Sequence, residues 1–234
     1  MNDYEKALTQ NSKLLDKHLQ DWFKSDIPKE MVNEIDVKSS LNGDSWLAPI
    51  WDINKSRLLG YRARYNNEVI TSNKYPSSEG KTPKYRPSKG LGNVFFYPHV
   101  NGNNWQKISQ DTNIPVGITE GEKKATKVTI EGLPTIGLFG VNNWVCKKED
   151  PETKEEKSEP IEDFKLFKWK DRLVYLIFDS DKFKNKKVLE AEGKLWAYLT
   201  SLGAKCKVIN LPEDPEVKGI DDFFVKHGGT SYAQ

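Results

Sequence analysis

The sequence predicts an α/β protein: a parallel sheet of about four strands, preceded by a helical N-terminus and a small, basic, mostly antiparallel α+β subdomain. Three observations carry that expectation. Apolar runs in the second half alternate with helix-length segments, as buried parallel strands and their crossovers do. These runs are Ile114-Pro115-Val116-Gly117-Ile118-Thr119, Leu173-Val174-Tyr175-Leu176-Ile177-Phe178 and Lys205-Cys206-Lys207-Val208-Ile209-Asn210-Leu211. Acids follow them: Glu120, then Asp179-Ser180-Asp181, then Glu213-Asp214 and Asp221-Asp222. The first half carries short β runs punctuated by turn residues instead.

Residues 1–40 form the helical segment. Leu14, Leu15, Leu19, Trp22 and Phe23 recur at helical spacing, which predicts an amphipathic helix from about Tyr4 to Lys24. Ile27-Pro28-Lys29-Glu30 opens a second helix to about Ile35, with proline at a tolerated early position. Residues 41–112 form the basic subdomain. Its expected strands run from Trp46 to Trp51, Leu58 to Tyr65 and Val94 to Tyr97. Asn42-Gly43, Asn66-Asn67 and Gly80-Lys81-Thr82-Pro83 supply the turns.

Residues 113–234 form the α/β domain. Glu122 to Ile130 reads as a helix that Gly132-Leu133-Pro134 stops, and Thr135-Ile136-Gly137-Leu138 as the next strand. A charged insertion at about 146–163 is expected to be exposed and mobile, because it is poor in apolar residues. Lys187 to Leu202 reads as a helix with Leu189, Leu195, Trp196 and Leu199 inward, capped by Gly203.

The whole chain has 36 basic and 34 acidic residues, a net charge of +2, so overall charge says little about partners. Its distribution says more. Between Trp51 and Asp111 there are ten Lys or Arg and four acids, whereas Lys147 to Asp163 holds four Lys and eight acids. A basic half joined to a carboxylate-bearing half suits a protein that works on nucleic acid. The two cysteines form no CxxC pair, Cys206 reading as a small core residue, and the three histidines have no metal-ligand or nucleophile spacing. No P-loop and no Gly-x-Ser-x-Gly motif occurs. The opening residues lack the zones of a signal peptide, and no apolar run reaches the roughly 20 residues of a membrane span. The expectation is a soluble, cytoplasmic chain with no membrane partner.

Ligands of open α/β sheets bind beyond the carboxyl ends of the strands. Glu120, Asp179 and Asp181 fall there, and carboxylates gathered at one rim repel one another unless a hard cation lies between them. Mg²⁺ or Mn²⁺ is therefore the expected cofactor, with Glu120 as the catalytic acid or base and Asp179 and Asp181 as metal ligands. Asp222 and Glu122 are further metal candidates. Each has a plainer alternative: Glu122 as a first-turn acid favoured by the helix dipole, Asp222 as part of a capped C-terminal helix. Asp179 as a helix N-cap explains the pair poorly, since the next expected helix starts several residues later. Lys123 and Lys124 are candidate contacts to a nucleotide cofactor. In the basic half, Arg62 and Arg64 alternate along one strand face, and Lys84, Tyr85, Arg86 and Lys89 mix cations with an aromatic ring, as single-strand-binding surfaces do. A solvated β face is the competing reading. Trp144 suits either base stacking or the core.

These motifs carry a family resemblance. Glu-Gly after a first strand, Asp-x-Asp after a third and a later acidic turn resemble the TOPRIM fold of bacterial replicative primases, type IA and II topoisomerases and some nucleases. A closer match runs from about His18 to Gly229. It is carried by Tyr61-Arg62-Ala63-Arg64, Pro83-Lys84-Tyr85-Arg86-Pro87, Phe95-Phe96-Tyr97-Pro98, Ile118-Thr119-Glu120-Gly121-Glu122-Lys123-Lys124-Ala125, Val141-Asn142-Asn143-Trp144, Ile177-Phe178-Asp179-Ser180-Asp181 and Gly219-Ile220-Asp221-Asp222-Phe223. In that order they resemble the TOPRIM-like domain of primase or primase–helicase proteins of phages, plasmids and integrated elements. The resemblance implies a primase-type, metal-dependent nucleotidyl-transfer module. Its partners would be a single-stranded DNA template, nucleoside triphosphates and a replicative helicase, supplied in trans or by a longer parent chain. The alternatives are a TOPRIM nuclease or a non-catalytic DNA-binding adapter. One departure favours the adapter: bacterial primases place an acid four residues after the first-strand Glu, and this chain has Lys124 there.

Overall fold

The computed structural model describes residues 13–150, 154–180 and 185–228. It divides into two compact units, Met1–Leu91 and Gly92–Gln234. The division falls earlier than the compositional change near residue 112. Phe95 and Tyr97 explain the shift, because their rings pack on Phe164, Phe167 and Trp105. Phe96 also bridges in antiparallel fashion to Gly137 at the edge of the second unit's sheet.

The first unit is a four-stranded antiparallel sheet in the order β1-β2-β3-β4: Lys38–Ser39, Ser45–Trp51, Leu58–Tyr65 and Tyr85–Pro87. Alternation in β3 places Tyr61 and Ala63 against Leu47 in a buried cluster. The opposite face of β2 and β3 carries Trp46, Arg62 and Arg64, with Trp46 opposite Arg64 in the register. The helix Asp16–Phe23 serves this face: Trp22 is fully buried with its ring 5.2 Å from that of Trp46. The expected helix began near Tyr4, and its part up to residue 12 lies outside the described residues. A second helix, Lys29–Ile35, follows Pro28 and ends on Asp36 in the left-handed conformation. Asn66 and Asn67, expected as a turn, lead into a short helix, Asn67–Thr71.

The second unit is built on a four-stranded parallel sheet in the order β10-β9-β5-β6: Lys205–Ile209, Leu173–Ile177, Val116–Glu120 and Thr135–Leu138. All neighbouring pairs are parallel. The helix Glu122–Ile130 carries the chain from β5 to β6, and Lys186–Ser201 carries it from β9 to β10. The two crossovers therefore depart to opposite sides of the central β5–β9 pair. In open α/β sheets, such a reversal is where a ligand crevice forms. Arg172, at the foot of β9, is fully buried, and among the described residues no carboxylate is in hydrogen-bonding contact with it. Its guanidinium donates to the carbonyls of Lys168, Ile114, Ile108 and Ser109 at 2.7–2.9 Å.

Several expectations change or are narrowed. The charged insertion is an antiparallel hairpin, β7 (Val145–Glu149) with β8 (Glu156–Pro160). Its exposed strands carry cross-strand ion pairs such as Lys147–Glu156 and Lys148–Glu159, so charge stabilises pairing where apolar burial is missing. The helix Lys186–Ser201 turns Ala191, Leu195 and Leu199 inward, four residues apart, and leaves Leu189 and Trp196 exposed. Trp144 is a core residue, stacked on Tyr198 at 5.5 Å. Cys206 and Cys146 are free thiols, both half-buried. Among the described residues, no helix is long and apolar enough to cross a membrane.

Candidate functional site

The carboxyl ends of β5 and β9 are locked together before any ligand is considered. Thr119 Oγ1 donates to the Ile177 carbonyl at 2.6 Å, and Thr119 is opposite Ile177 in the register. Glu120 is the last residue of β5, and Asp179 lies two residues beyond the end of β9. Gly121 then turns the chain with φ +90°, a conformation an L side chain rarely adopts, so the helix Glu122–Ile130 starts at once. That tight start decides where the next side chains go. Glu122 is buried in the first helical turn, where the helix dipole favours an acid. Lys124 lies in that same first turn, four residues after Glu120, and its ammonium forms an ion pair with Asp179 Oδ1.

The third wall of the rim is the loop leading into the helix Ile220–His227. Ser180 binds it twice, its N–H donating to the Lys218 carbonyl at 2.8 Å and its hydroxyl to the Val217 carbonyl at 2.9 Å. Asp222 closes the helix start by accepting from the N–H groups of Gly219 and Lys218 at 2.9 and 3.1 Å. Its carboxylate is thus a capping group. Asp221, buried at 7 % exposure, faces the cluster instead. A Cβ built on Gly219 would lie 2.6 Å from Asp221 Oδ1, 2.6 Å from Lys124 Cε and 3.4 Å from Asp179 Oδ1. Asp179, Asp221 and the Lys124 stem therefore surround one point.

Burial alone would depress the Lys124 pKa, but Asp179, through its charge and its hydrogen bond, and the charges of Asp221 and Glu120 raise it above the ordinary lysine value. The ammonium remains charged throughout the physiological range. Asp221 was not among the expected site residues. The signal that separates it from Asp222 is positional: an acid at the third helical position caps, and its predecessor points elsewhere. Asp181 lies outside the described residues, and Lys123 is half-buried in the same turn as Lys124.

Among the described residues, the donor set does not fit a divalent ion on Asp179 as the side chains stand. The carboxylate is already the acceptor of an ammonium. Among the described residues, no three carboxylate, imidazole or thiolate groups are placed to hold a metal ion as the side chains stand.

The basic residues of the first unit separate into two kinds. Arg62 and Arg64 were expected on the surface. Arg62 is buried with its guanidinium 4.6 Å from the Tyr85 ring centre, and Arg64 pairs with Asp21 at 3.2 Å. Asp21 also accepts from Trp46 Nε1 at 2.9 Å, so Arg64 completes a polar contact beneath the helix Asp16–Phe23. Arg86 donates to the Tyr75 carbonyl at 2.7 Å and lies 5.8 Å from the Tyr65 ring centre. Lys84 and Lys89 are exposed, Lys84 lying 5.6 Å from the half-buried Tyr85 ring. Sequence alternation put the arginines on one face correctly but could not show that a helix covers it.

Residues 104–231 match the model of a family described as a domain of unknown function, DUF3854. An uncharacterised protein of Picosynechococcus sp. is similar at 32 % identity over 136 residues, covering 56 % of this chain and 13 % of that protein. The chain thus spans a small part of the length of the curated relative it matches.

Proposed function

Since the chain belongs to the DUF3854 family, whose description names no activity, we propose its role from the rim: it is a TOPRIM-like, nucleic-acid-binding adapter of a replication protein. In this reading DNA is held by exposed cations of the first unit, chiefly Lys84, beside Tyr85, and Lys89. The second unit supplies a rigid α/β platform rather than a polymerising or cutting centre. The observation that carries it is the Lys124–Asp179 ion pair at the meeting point of β5 and β9. A centre that moves phosphoryl groups needs its carboxylates available to a metal ion, and here the first of them is occupied. A longer parent chain or a separate protein would supply the helicase.

A second reading is primase-type nucleotidyl transfer, favoured by Glu120 and Asp179 standing at adjacent strand ends. Glu120 would then act beside the attacking hydroxyl as general base. One set of assays on the full chain separates the two: single-stranded DNA binding, primer synthesis from labelled nucleotides, and plasmid nicking, each with Mg²⁺ or Mn²⁺. The adapter is expected to bind DNA, synthesise and nick nothing, and bind equally well as Asp179→Asn. Primer synthesis or nicking that disappears in Glu120→Gln refutes the adapter.

A further inference from the structure

We propose that the Lys124 ammonium is a tethered counter-ion that holds the cation position at the rim, so that this residue, not a divalent ion, neutralises Asp179. The inference deepens the adapter reading and rests on it.

Three features lead there. The first is reach. Lys124 lies four residues past the strand end at Glu120, in the first turn of the helix Glu122–Ile130, and its stem reaches back to Asp179 just beyond β9. The second is space. Gly219 has φ −111° and ψ 171°, an extended conformation open to any residue, so backbone freedom does not call for glycine there. Room does: a Cβ would meet Lys124 Cε and Asp221 Oδ1 at 2.6 Å each, closer than carbon atoms or a carbon and an oxygen can rest. The missing side chain makes the channel through which the lysine reaches its partners. The third is charge. The ammonium forms an ion pair with Asp179 Oδ1, and the carboxylate of Asp221 borders the same opening beside Gly219.

An ammonium is a compact cation with three donors, able to satisfy carboxylates at close range. It differs from a bound metal in two ways. It is covalently fixed, so no change in cation concentration removes it. It also has no open coordination position to offer a substrate oxygen. Three carboxylates and one ammonium still leave the four side chains with an excess of negative charge. Removing the ammonium should therefore create a strong demand for a dissociable cation at the same place.

The test is Mn²⁺ titration of the full chain by calorimetry and by Mn²⁺ electron paramagnetic resonance. Wild type and Asp179→Asn are expected to give the same Mn²⁺ isotherm. Lys124→Met, which keeps the stem beside Gly219 and loses the charge, is expected to gain one Mn²⁺ site at least about tenfold tighter than any in wild type. Adding Asp179→Asn should abolish the gain, and Lys124→Arg should behave as wild type. Two results overturn the proposal: wild-type Mn²⁺ binding that Asp179→Asn removes, or a folded Lys124→Met that gains no site. If Lys124→Met does not fold, the comparison of wild type with Asp179→Asn still decides. DNA binding measured on the same samples keeps this inference apart from the adapter reading, because it depends on other side chains.

Discussion

Replacing Lys84 and Lys89 with Ala should weaken single-stranded DNA binding without disturbing the fold, whereas Arg64→Ala should disturb the fold first. The two lysines are exposed, and exposed substitutions usually stay within about 0.5 kcal/mol. Each phosphate contact on a single strand contributes about 0.7 to the slope of log K against log salt, so losing two should flatten that slope by about 1.4. Arg64 and Asp21 retain only 16 % and 12 % of their side-chain exposure, and lie 3.2 Å apart. Breaking a buried pair from one side costs about 3–5 kcal/mol. Asp21 keeps the Trp46 indole N–H and some contact with water, which lowers the expected cost to about 2–3 kcal/mol. Fluorescence anisotropy with a labelled oligothymidine across a salt series reads the first effect, and urea unfolding reads the second. An unchanged slope in a folded Lys84→Ala/Lys89→Ala protein would remove the first unit from the DNA interface. An Arg64→Ala chain as stable as wild type would show that the arginine is not part of the packing under the helix.

Two further outcomes follow from buried polar groups. Arg172→Met should cost about 3–5 kcal/mol in urea unfolding, because buried acceptors left without donors cost about 1–3 kcal/mol each; the Ser109 carbonyl keeps the Lys168 N–H, but Ile108, Ile114 and Lys168 each lose the guanidinium contact. A loss below about 1 kcal/mol would mean that water replaces the guanidinium freely. His18 sits between Ser39 Oγ at 2.6 Å and Asn66 Oδ1 at 2.9 Å, and burial lowers its pKa below 6.5. Its contribution to stability is therefore complete above pH 6.5 and lost as pH falls through the lowered value. His18→Gln should flatten that acid-side slope, and an identical slope in the variant would assign it to other groups.

The inner part of the parallel sheet was legible because its strands there are largely buried, unlike the edge strand Lys205–Ile209. Val174, Leu176, Ile177 and Phe178 are all at or below 4 % exposure, and a run of that kind admits few alternatives once helix-length segments flank it. What failed to show depended on partners distant in the chain. Nothing near Arg62 or Arg64 reveals that Trp22 and Asp21 cover their strand face. Leu189 and Trp196 match an amphipathic stripe as well as Ala191, Leu195 and Leu199 do, and only the docking of the helix selects between the stripes. The hairpin after Trp144 is held by ion pairs whose register no hydrophobic pattern records. Asp221 and Asp222 are chemically identical neighbours, and the position of Gly219 at the helix start divides their roles.

Lys124 belongs to both categories. Its identity was visible as a departure from the acid that the resemblance leads one to expect, but a lysine at that position has two physical outcomes. It can extend into solvent, leaving the carboxylates to repel one another and to recruit a metal, or it can fold back and neutralise one of them. The sequence distance from Glu120 permits both. The second requires space for four methylene groups among carboxylates, and that space comes from a residue ninety-five positions away, the glycine at 219. A lysine and a distant glycine thus act as one device, and each is uninformative without the other. The consequence is directional. Substituting the lysine changes the charge at the rim, while Gly219→Ala leaves every charge in place and displaces the stem. If charge alone governs cation binding, only the first change should admit Mn²⁺; if the seating of the ammonium governs it, both should.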